Sequence, residues 1–172
     1  MDWLFPGLAA VSNSHPLWVH FPIAFWLGAL LFCVCGLSSP DSGSFRTGRW
    51  LLHLGTLAGI GAVVSGYFAT AGMDHEAPAH EVIHVHRNFM IVAAALSVAA
   101  SVAMFLLRHD GRRGLRFAQV VMLAVVSGVA ALGADRGALL VYGHGIAVHT
   151  GPQPAAPEGD HGAPATHTHE RK

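Results

Sequence analysis

The segment Trp18-Val-His-Phe-Pro-Ile-Ala-Phe-Trp-Leu-Gly-Ala-Leu-Leu-Phe-Cys-Val-Cys-Gly-Leu37 contains no charged side chain and is mostly apolar. Its length is the roughly 20 residues that an α-helix needs to cross the hydrocarbon core of a bilayer. Pro22 would stand in the first turn of this helix, where its missing backbone N–H costs nothing. We therefore predict a transmembrane helix over residues 18–37.

Three further segments of the same character predict transmembrane helices over residues 50–71, 86–107 and 116–134. The composition agrees, because 52% of the 172 residues are hydrophobic and only 12% are charged, against about 25% charged in soluble domains. The sequence thus predicts an all-α integral membrane protein, with a four-transmembrane-helix bundle over residues 1–149 embedded in a lipid bilayer. A net charge of zero leaves no basic surface for nucleic acid.

Two segments of different composition follow the fourth predicted span. Residues 137–149 are apolar but short and interrupted by glycine, which predicts a re-entrant or interfacial segment folded over the mouth of the bundle. Residues 150–172 are rich in histidine and proline. This composition predicts a disordered tail.

The arginines near the spans predict the orientation. Two of them, Arg87 and Arg136, lie on the side of the termini. Six lie in the two loops on the opposite side: Arg46, Arg49, Arg108, Arg112, Arg113 and Arg116. Because basic residues are retained on the cytoplasmic side, we predict a protein of the bacterial inner (cytoplasmic) membrane with both termini in the periplasm.

The sequence is unusually rich in histidine, which accounts for 13 of its 172 residues. An imidazole at the mouth of a bundle is costly to bury unless its nitrogens find partners, so such histidines usually pair, bind a metal or relay protons. Under the predicted orientation, eight of them lie at the outer face: His15, His20, His75, His80, His84, His86, His144 and His149.

His20 and His86 are the best candidates for a cofactor site. Each stands near the start of a different span at a matched depth, which lets two imidazoles coordinate opposite faces of a haem iron. We therefore predict that they bind haem b as axial ligands. His84 is the alternative ligand, because residues two apart on a helix cannot both face the bundle.

Three further residues are candidates for the surroundings of this haem. Arg87 at the membrane surface could pair with a haem propionate. His144 lies between two glycines, so its backbone could approach the site closely. We expect His144 or His15 to support the axial ligands or to substitute for one of them.

The histidines leave two other interpretations open. The first is a copper or zinc site, for which Glu76 and Glu81 lie near the candidate histidines. Its candidate ligands are His20, His86, His144, His80 and His84. The second is hydrogen-bonded packing or proton relay without a cofactor.

The sequence contains no HExxH pair, no Walker-type glycine loop and no GxSxG elbow. We therefore expect a non-catalytic electron-transfer or accessory subunit rather than an enzyme. A haem near the outer face predicts electron transfer to a periplasmic electron carrier from other membrane redox subunits, within a larger redox complex. The alternative is an accessory membrane protein that binds periplasmic copper or zinc, or a cofactor-free structural subunit.

Three motifs carry a resemblance to a known family. They are His15-Pro-Leu-Trp-Val-His20-Phe-Pro-Ile-Ala, His84-x-His86-Arg-Asn88 and Gly137-Ala-Leu-Leu-Val-Tyr-Gly-His144-Gly-Ile-Ala-Val. From about Ser14 to His149, the chain resembles the bacterial predicted inner-membrane proteins called domain of unknown function 2231. The resemblance implies about four membrane helices and implies no activity. Its signature positions in this chain are His15, His20, His86 and His144.

Overall fold

The computed structural model describes residue 4 and residues 14–38, 43–71, 79–110 and 112–146. Most of these residues form helices: α1 (His15–Trp18), α2 (His20–Leu37), α3 (Gly43–Thr70), α4 (His80–Leu106) and α5 (Arg113–Tyr142). Only Val19 separates α1 from α2, so the two form one membrane span. The interruption follows from Pro22, which has no N–H to bond the carbonyl of Trp18. The described residues contain no strand.

The four spans are long and apolar enough to cross a membrane. At most 33% of the most apolar window of any span is buried inside the protein. Large apolar side chains such as Leu57, Phe68 and Leu106 are about 70% exposed. A soluble monomer rarely exposes apolar surface on this scale, whereas lipid tails cover it. The structure confirms the predicted all-α bundle of four transmembrane helices.

The helices form a closed ring in which each packs against the next. α2 packs on α3, α3 on α4 and α4 on α5, and α5 returns to α2. The diagonal pairs, α2 with α4 and α3 with α5, are not in contact along the described helices. Because neighbours run antiparallel, α1 and α4 begin, and α3 and α5 end, at one face of the bundle, here called the terminal face. The opposite end is the loop face.

A tryptophan fills the interface between α2 and α3. Trp26 is 2% exposed and belongs to the main core cluster. A Cβ atom at Gly55 or Gly59 would lie 2.7 Å from an atom of the Trp26 indole. The two glycines therefore form a saddle on α3 that this ring fills.

The helices are longer than hydropathy predicts. α3 begins at Gly43 rather than near residue 50, so Arg46 and Arg49 belong to a helix and not to a loop. α4 begins at His80 rather than at residue 86. Backbone hydrogen bonding continues past the hydrocarbon region, and long basic side chains reach the interface from there. Hydropathy therefore detects only the apolar middle of each helix.

The segment predicted after the fourth span is not a separate re-entrant element over its first half. α5 continues without a break from Arg113 to Tyr142. Leu140 packs there against Ala79 and Ile83 at the start of α4. This burial outweighs the cost of about 1 kcal/mol for a glycine such as Gly137 inside a helix. Residues 147–149 and the predicted tail at 150–172 lie outside the described residues.

Candidate functional site

All four spans contribute to a polar site at the terminal face. His15 comes from α1 and Ser65 from α3, while His86 comes from α4 and Gly133 from α5. The imidazole centroids of His15 and His86 lie 6.4 Å apart, with the ring planes at 80°. Both rings are half-buried. The bundle thus brings two imidazoles from separate spans side by side inside one face.

The His86 ring has a defined tautomer. Its Nδ1 lies 2.8 Å from the carbonyl oxygen of Gly133. A carbonyl oxygen only accepts hydrogen bonds, so Nδ1 carries the proton and donates it. Nε2 of the neutral ring is then unprotonated and has a lone pair for a metal ion.

The His15 ring is held by a hydroxyl group on α3. Its Nδ1 lies 3.1 Å from the Ser65 Oγ. The Ser65 Oγ also lies 3.0 Å from the carbonyl oxygen of Ala62. When the hydroxyl donates to Ala62, its oxygen accepts a hydrogen bond from His15 Nδ1–H. This contact joins α1 to α3 at the terminal face.

Two glycines determine how closely these rings approach the helices. A Cβ at Gly66 would lie 2.9 Å from Cε1 of His15, and a Cβ at Gly137 would lie 3.0 Å from Cε1 of His86. Each imidazole edge therefore lies directly on the backbone of a neighbouring helix. An alanine at either position would require the imidazole to shift.

A chain of polar side chains follows the start of α4. The Arg87 guanidinium donates to Nδ1 of His84 over 2.6 Å, and Nε2 of His84 lies 2.8 Å from Nε2 of His80. Because His84 Nδ1 accepts from the arginine, His84 Nε2 carries the proton and donates to His80. In this arrangement both ring nitrogens of His84 are engaged. Arg87, predicted as a propionate partner, binds His84.

His20 does not join His86, contrary to the expected geometry. Its side chain is exposed, and His15 takes the place beside His86. His15 and His20 are five residues apart and so point about 140° from each other on a helix of 3.6 residues per turn. His144 is exposed in the turn after α5.

The buried stripe of α2 leads to the histidine that lies beside His86. The buried residues of α2 recur at alternating steps of four and three: Pro22, Trp26, Ala29, Cys33 and Gly36. One heptad before Pro22 this stripe reaches His15 and not His20. On α4 the same spacing runs back from Ala93 through Met90 to His86, and it bypasses His84.

The described residues bring together no group of three or more His, Cys, Asp or Glu side chains that could hold a metal ion. Protein sites for zinc ordinarily supply three or four ligands. The His15–His86 pair therefore fits a group that needs only two protein ligands. Three candidates for additional ligands, His75, Glu76 and His149, lie outside the described residues.

A second polar site lies at the loop face and was not expected from the sequence. Nδ1 of His53 on α3 and Oγ of Ser101 on α4 form a hydrogen bond. They line an open groove of about 710 Å³, here called the arginine groove. It is lined by Arg46, Arg49, Trp50, His53, Ser101, Val102, Met104, Phe105 and Arg108.

The comparisons with known proteins identify a family. A family model described as "Predicted membrane protein (DUF2231)" matches residues 12–150. No curated protein and no solved structure matches the chain.

Proposed function

Because the chain belongs to this family of predicted membrane proteins, to which no activity is attached, we propose a function from its site: a haem b-binding membrane subunit that transfers electrons. In this proposal His15 and His86 would hold the haem iron through their imidazoles. His86 keeps the role predicted from the sequence, and His15 replaces His20.

One observation carries the proposal, namely the separation of the two imidazoles. Their centroids lie 6.4 Å apart. Two metal–nitrogen bonds of about 2.0–2.1 Å, with each ring centre roughly 1 Å further out, require about 6 Å. The hydrogen bond from His86 Nδ1–H to Gly133 supports the same interpretation, because it orients the His86 ring and leaves its Nε2 unprotonated.

A haem suits this ligand set better than an ion alone. The porphyrin supplies four nitrogens, so the protein needs to add only two. Two histidine ligands would leave no open coordination position for a substrate, which favours electron transfer over catalysis at the iron. The chain's own residues would hold the group, orient the imidazoles and exclude water.

The position of the His15–His86 pair in the membrane indicates which partners would exchange electrons with it. The site lies at the terminal face, and the six arginines of the loop face outnumber Arg87 and Arg136. By the retention of basic residues in the cytoplasm, we place the site at the periplasmic side of a bacterial inner membrane. A single centre at one face cannot carry an electron across the bilayer. The electron would therefore come from other membrane redox subunits and pass to a periplasmic electron carrier.

The same separation favours copper as the second candidate. Imidazole is a good ligand for copper, and two rings about 6 Å apart can share one ion. The protein would then be an accessory subunit that holds periplasmic copper. His80 and His84 lie on the same face, but both ring nitrogens of His84 are engaged by Arg87 and His80.

A visible-range spectrum of the purified full chain distinguishes these functions. The protein is produced with haem precursors, purified in mild detergent, and its spectrum is recorded before and after reduction with dithionite. We expect sharp reduced bands of a six-coordinate bis-imidazole haem, at one haem per chain.

Metal analysis of the same sample completes the test. A colourless protein with one copper ion per chain would support the accessory function and exclude haem. A colourless protein that holds no metal and takes up neither haem nor copper when they are added would contradict both candidates.

A further inference from the structure

The arginine groove lies between α3 and α4, at the opposite face from the histidine pair. Three of its lining residues, Arg46, Arg49 and Arg108, carry positive charge. No carboxylate is among the residues that line the groove. The neighbouring carboxylate of Asp110 is paired with Arg112, so the groove presents a net positive charge at the loop face.

The arginines differ in how they are held. Arg49 donates from its guanidinium to the carbonyl oxygen of Arg108 over 3.1 Å, which ties α3 to the end of α4. Arg108 donates to the carbonyl oxygen of Phe105, and its guanidinium lies 4.4 Å from the centre of the Phe105 ring. The side chain of Arg46 is exposed and makes no hydrogen bond with the other described residues. Each guanidinium has five N–H donors, so most donors at the mouth remain available for an anion.

The rest of the groove is apolar and faces the lipid. Trp50 and Phe105 are 65% and 56% exposed and line it on α3 and α4. Val102 and Met104 continue the apolar lining. His53 lies one helical turn deeper than Arg49, and its partner Ser101 lies two turns deeper than Arg108. Apart from this polar pair, the groove changes from cationic at the mouth to apolar along the walls.

We propose that the arginine groove is a binding site for an anionic phospholipid, with its phosphate between Arg46 and Arg108 and its acyl chains along Trp50 and Phe105. A basic pocket between membrane helices has the charge and shape for such a headgroup. Guanidinium groups bind phosphate through paired, charge-assisted hydrogen bonds. A free phosphate compound would use the arginines but would leave the apolar walls without a partner.

The binding site does not depend on the proposed cofactor. The histidine pair belongs to the terminal face, whereas the groove belongs to the loop face. Loss of lipid binding would leave the proposed electron-transfer function untouched, and a colourless protein would leave the lipid site untouched.

The test measures which lipid stays with the full chain. The protein is reconstituted in vesicles of equimolar phosphatidylcholine and phosphatidylglycerol, extracted in mild detergent, and its retained lipids are quantified by mass spectrometry. We expect phosphatidylglycerol to be enriched over phosphatidylcholine. The variants Arg46→Gln and Arg108→Gln should each reduce that enrichment about fivefold.

A matched control removes the same charge from the same face outside the groove. Arg113 is exposed and does not line the groove, and it has no part in the ion pair between Arg112 and Asp110. The variant Arg113→Gln should retain phosphatidylglycerol like the unaltered protein. An equal loss in Arg113→Gln and in Arg46→Gln would overturn the proposal, because it would show attraction to the whole basic face.

A second measurement locates the acyl chains without relying on extraction. Brominated phosphatidylglycerol should quench Trp50 fluorescence more strongly than brominated phosphatidylcholine, with the Trp50→Phe variant providing the background of the other tryptophans. Equal quenching by the two lipids would overturn the proposal. Displacement of the retained lipid by glycerol phosphate alone would also overturn it, since the ligand would then be a soluble phosphate.

Discussion

The carbonyl oxygen of Gly133 accepts a hydrogen bond from Nδ1 of His86 over 2.8 Å. The same carbonyl lies one turn before Gly137 in α5, so the imidazole approaches it across the backbone of residue 137. A Cβ at that position would lie 3.0 Å from Cε1 of His86. The missing side chain at Gly137 therefore gives the ring access to the carbonyl that fixes its tautomer.

The first prediction concerns this glycine. In Gly137→Ala the new methyl group should push the His86 ring away from Gly133 and weaken their hydrogen bond. Loss of such an orienting bond typically lowers metal affinity by about 10–100-fold. We expect a comparable loss of haem affinity, measured by titration of the cofactor-free protein. Gly128→Ala in the same helix is the control, since a Cβ at Gly128 would have no neighbouring atom within 4 Å. This variant should bind haem normally.

The second prediction separates the two proposed haem ligands from the other candidate histidines. His15→Ala and His86→Ala should each remove the bis-imidazole spectrum, because each deletes one of the two nitrogens. His20→Ala and His144→Ala remove exposed rings and should leave the spectrum unchanged. Imidazole added to the two ligand variants should partly restore the reduced bands, which shows that the chain is still folded. A lost spectrum in His20→Ala with an intact one in His15→Ala would reverse the assignment.

The third prediction concerns Ser65, which positions His15 without touching the iron. Ser65→Ala removes the acceptor of His15 Nδ1–H, so the ring loses its fixed orientation. We expect a weaker ligand field, seen as a shifted reduction potential and a haem affinity lower by about tenfold. Ser101→Ala removes the matching partner of His53 at the loop face. It should change neither the potential nor the affinity.

The sequence alone predicts the spans because a hydrocarbon core admits few alternatives. It also predicts that histidines gather at the terminal face. It does not by itself fix the partner of His86, because both His15 and His20 lie near the start of the first span and the choice depends on helix phase. The buried residues of α2 show which side of the helix faces the bundle. They identify His15 only when their spacing is continued from Pro22 back towards the start of the span.

The arginine groove was beyond prediction for a different reason. Arg46 and Arg49 look like loop residues in a hydropathy profile, but both lie on α3. Only the packing of α3 against α4 shows that they share a groove with Arg108. A loop residue has no defined face, whereas a helical residue does.

The fourth prediction tests a hydrogen bond that joins two spans in the middle of the bundle. The Thr56 hydroxyl on α3 lies 3.2 Å from the carbonyl oxygen of Ser97 on α4 and 2.9 Å from that of Leu52 in its own helix. Thr56→Val keeps the shape and removes the donor. We expect a loss of about 0.6–1.7 kcal/mol in the free energy of unfolding, measured by unfolding in mixed micelles.

A matched control for Thr56 exists on the same helix. The Thr47 hydroxyl bonds only the carbonyl oxygen of Gly43 in its own first turn and is exposed. Thr47→Val should therefore leave the stability nearly unchanged. Equal effects of the two substitutions would show that the bond between α3 and α4 contributes nothing.

The fifth prediction concerns the saddle that holds Trp26. A Cβ at Gly59 would lie 2.7 Å from Cζ2 of the indole, so Gly59→Ala should overpack the interface and lower the stability by about 1–3 kcal/mol. In a Trp26→Leu background the ring is absent, and the same Gly59→Ala substitution should cost almost nothing. The two changes are in contact and should therefore be strongly non-additive in a double-mutant cycle. Gly128→Ala, whose Cβ meets nothing, should instead add to Trp26→Leu. Additive effects of Gly59→Ala and Trp26→Leu would mean that close helix approach, and not the indole, is what requires glycine at this position.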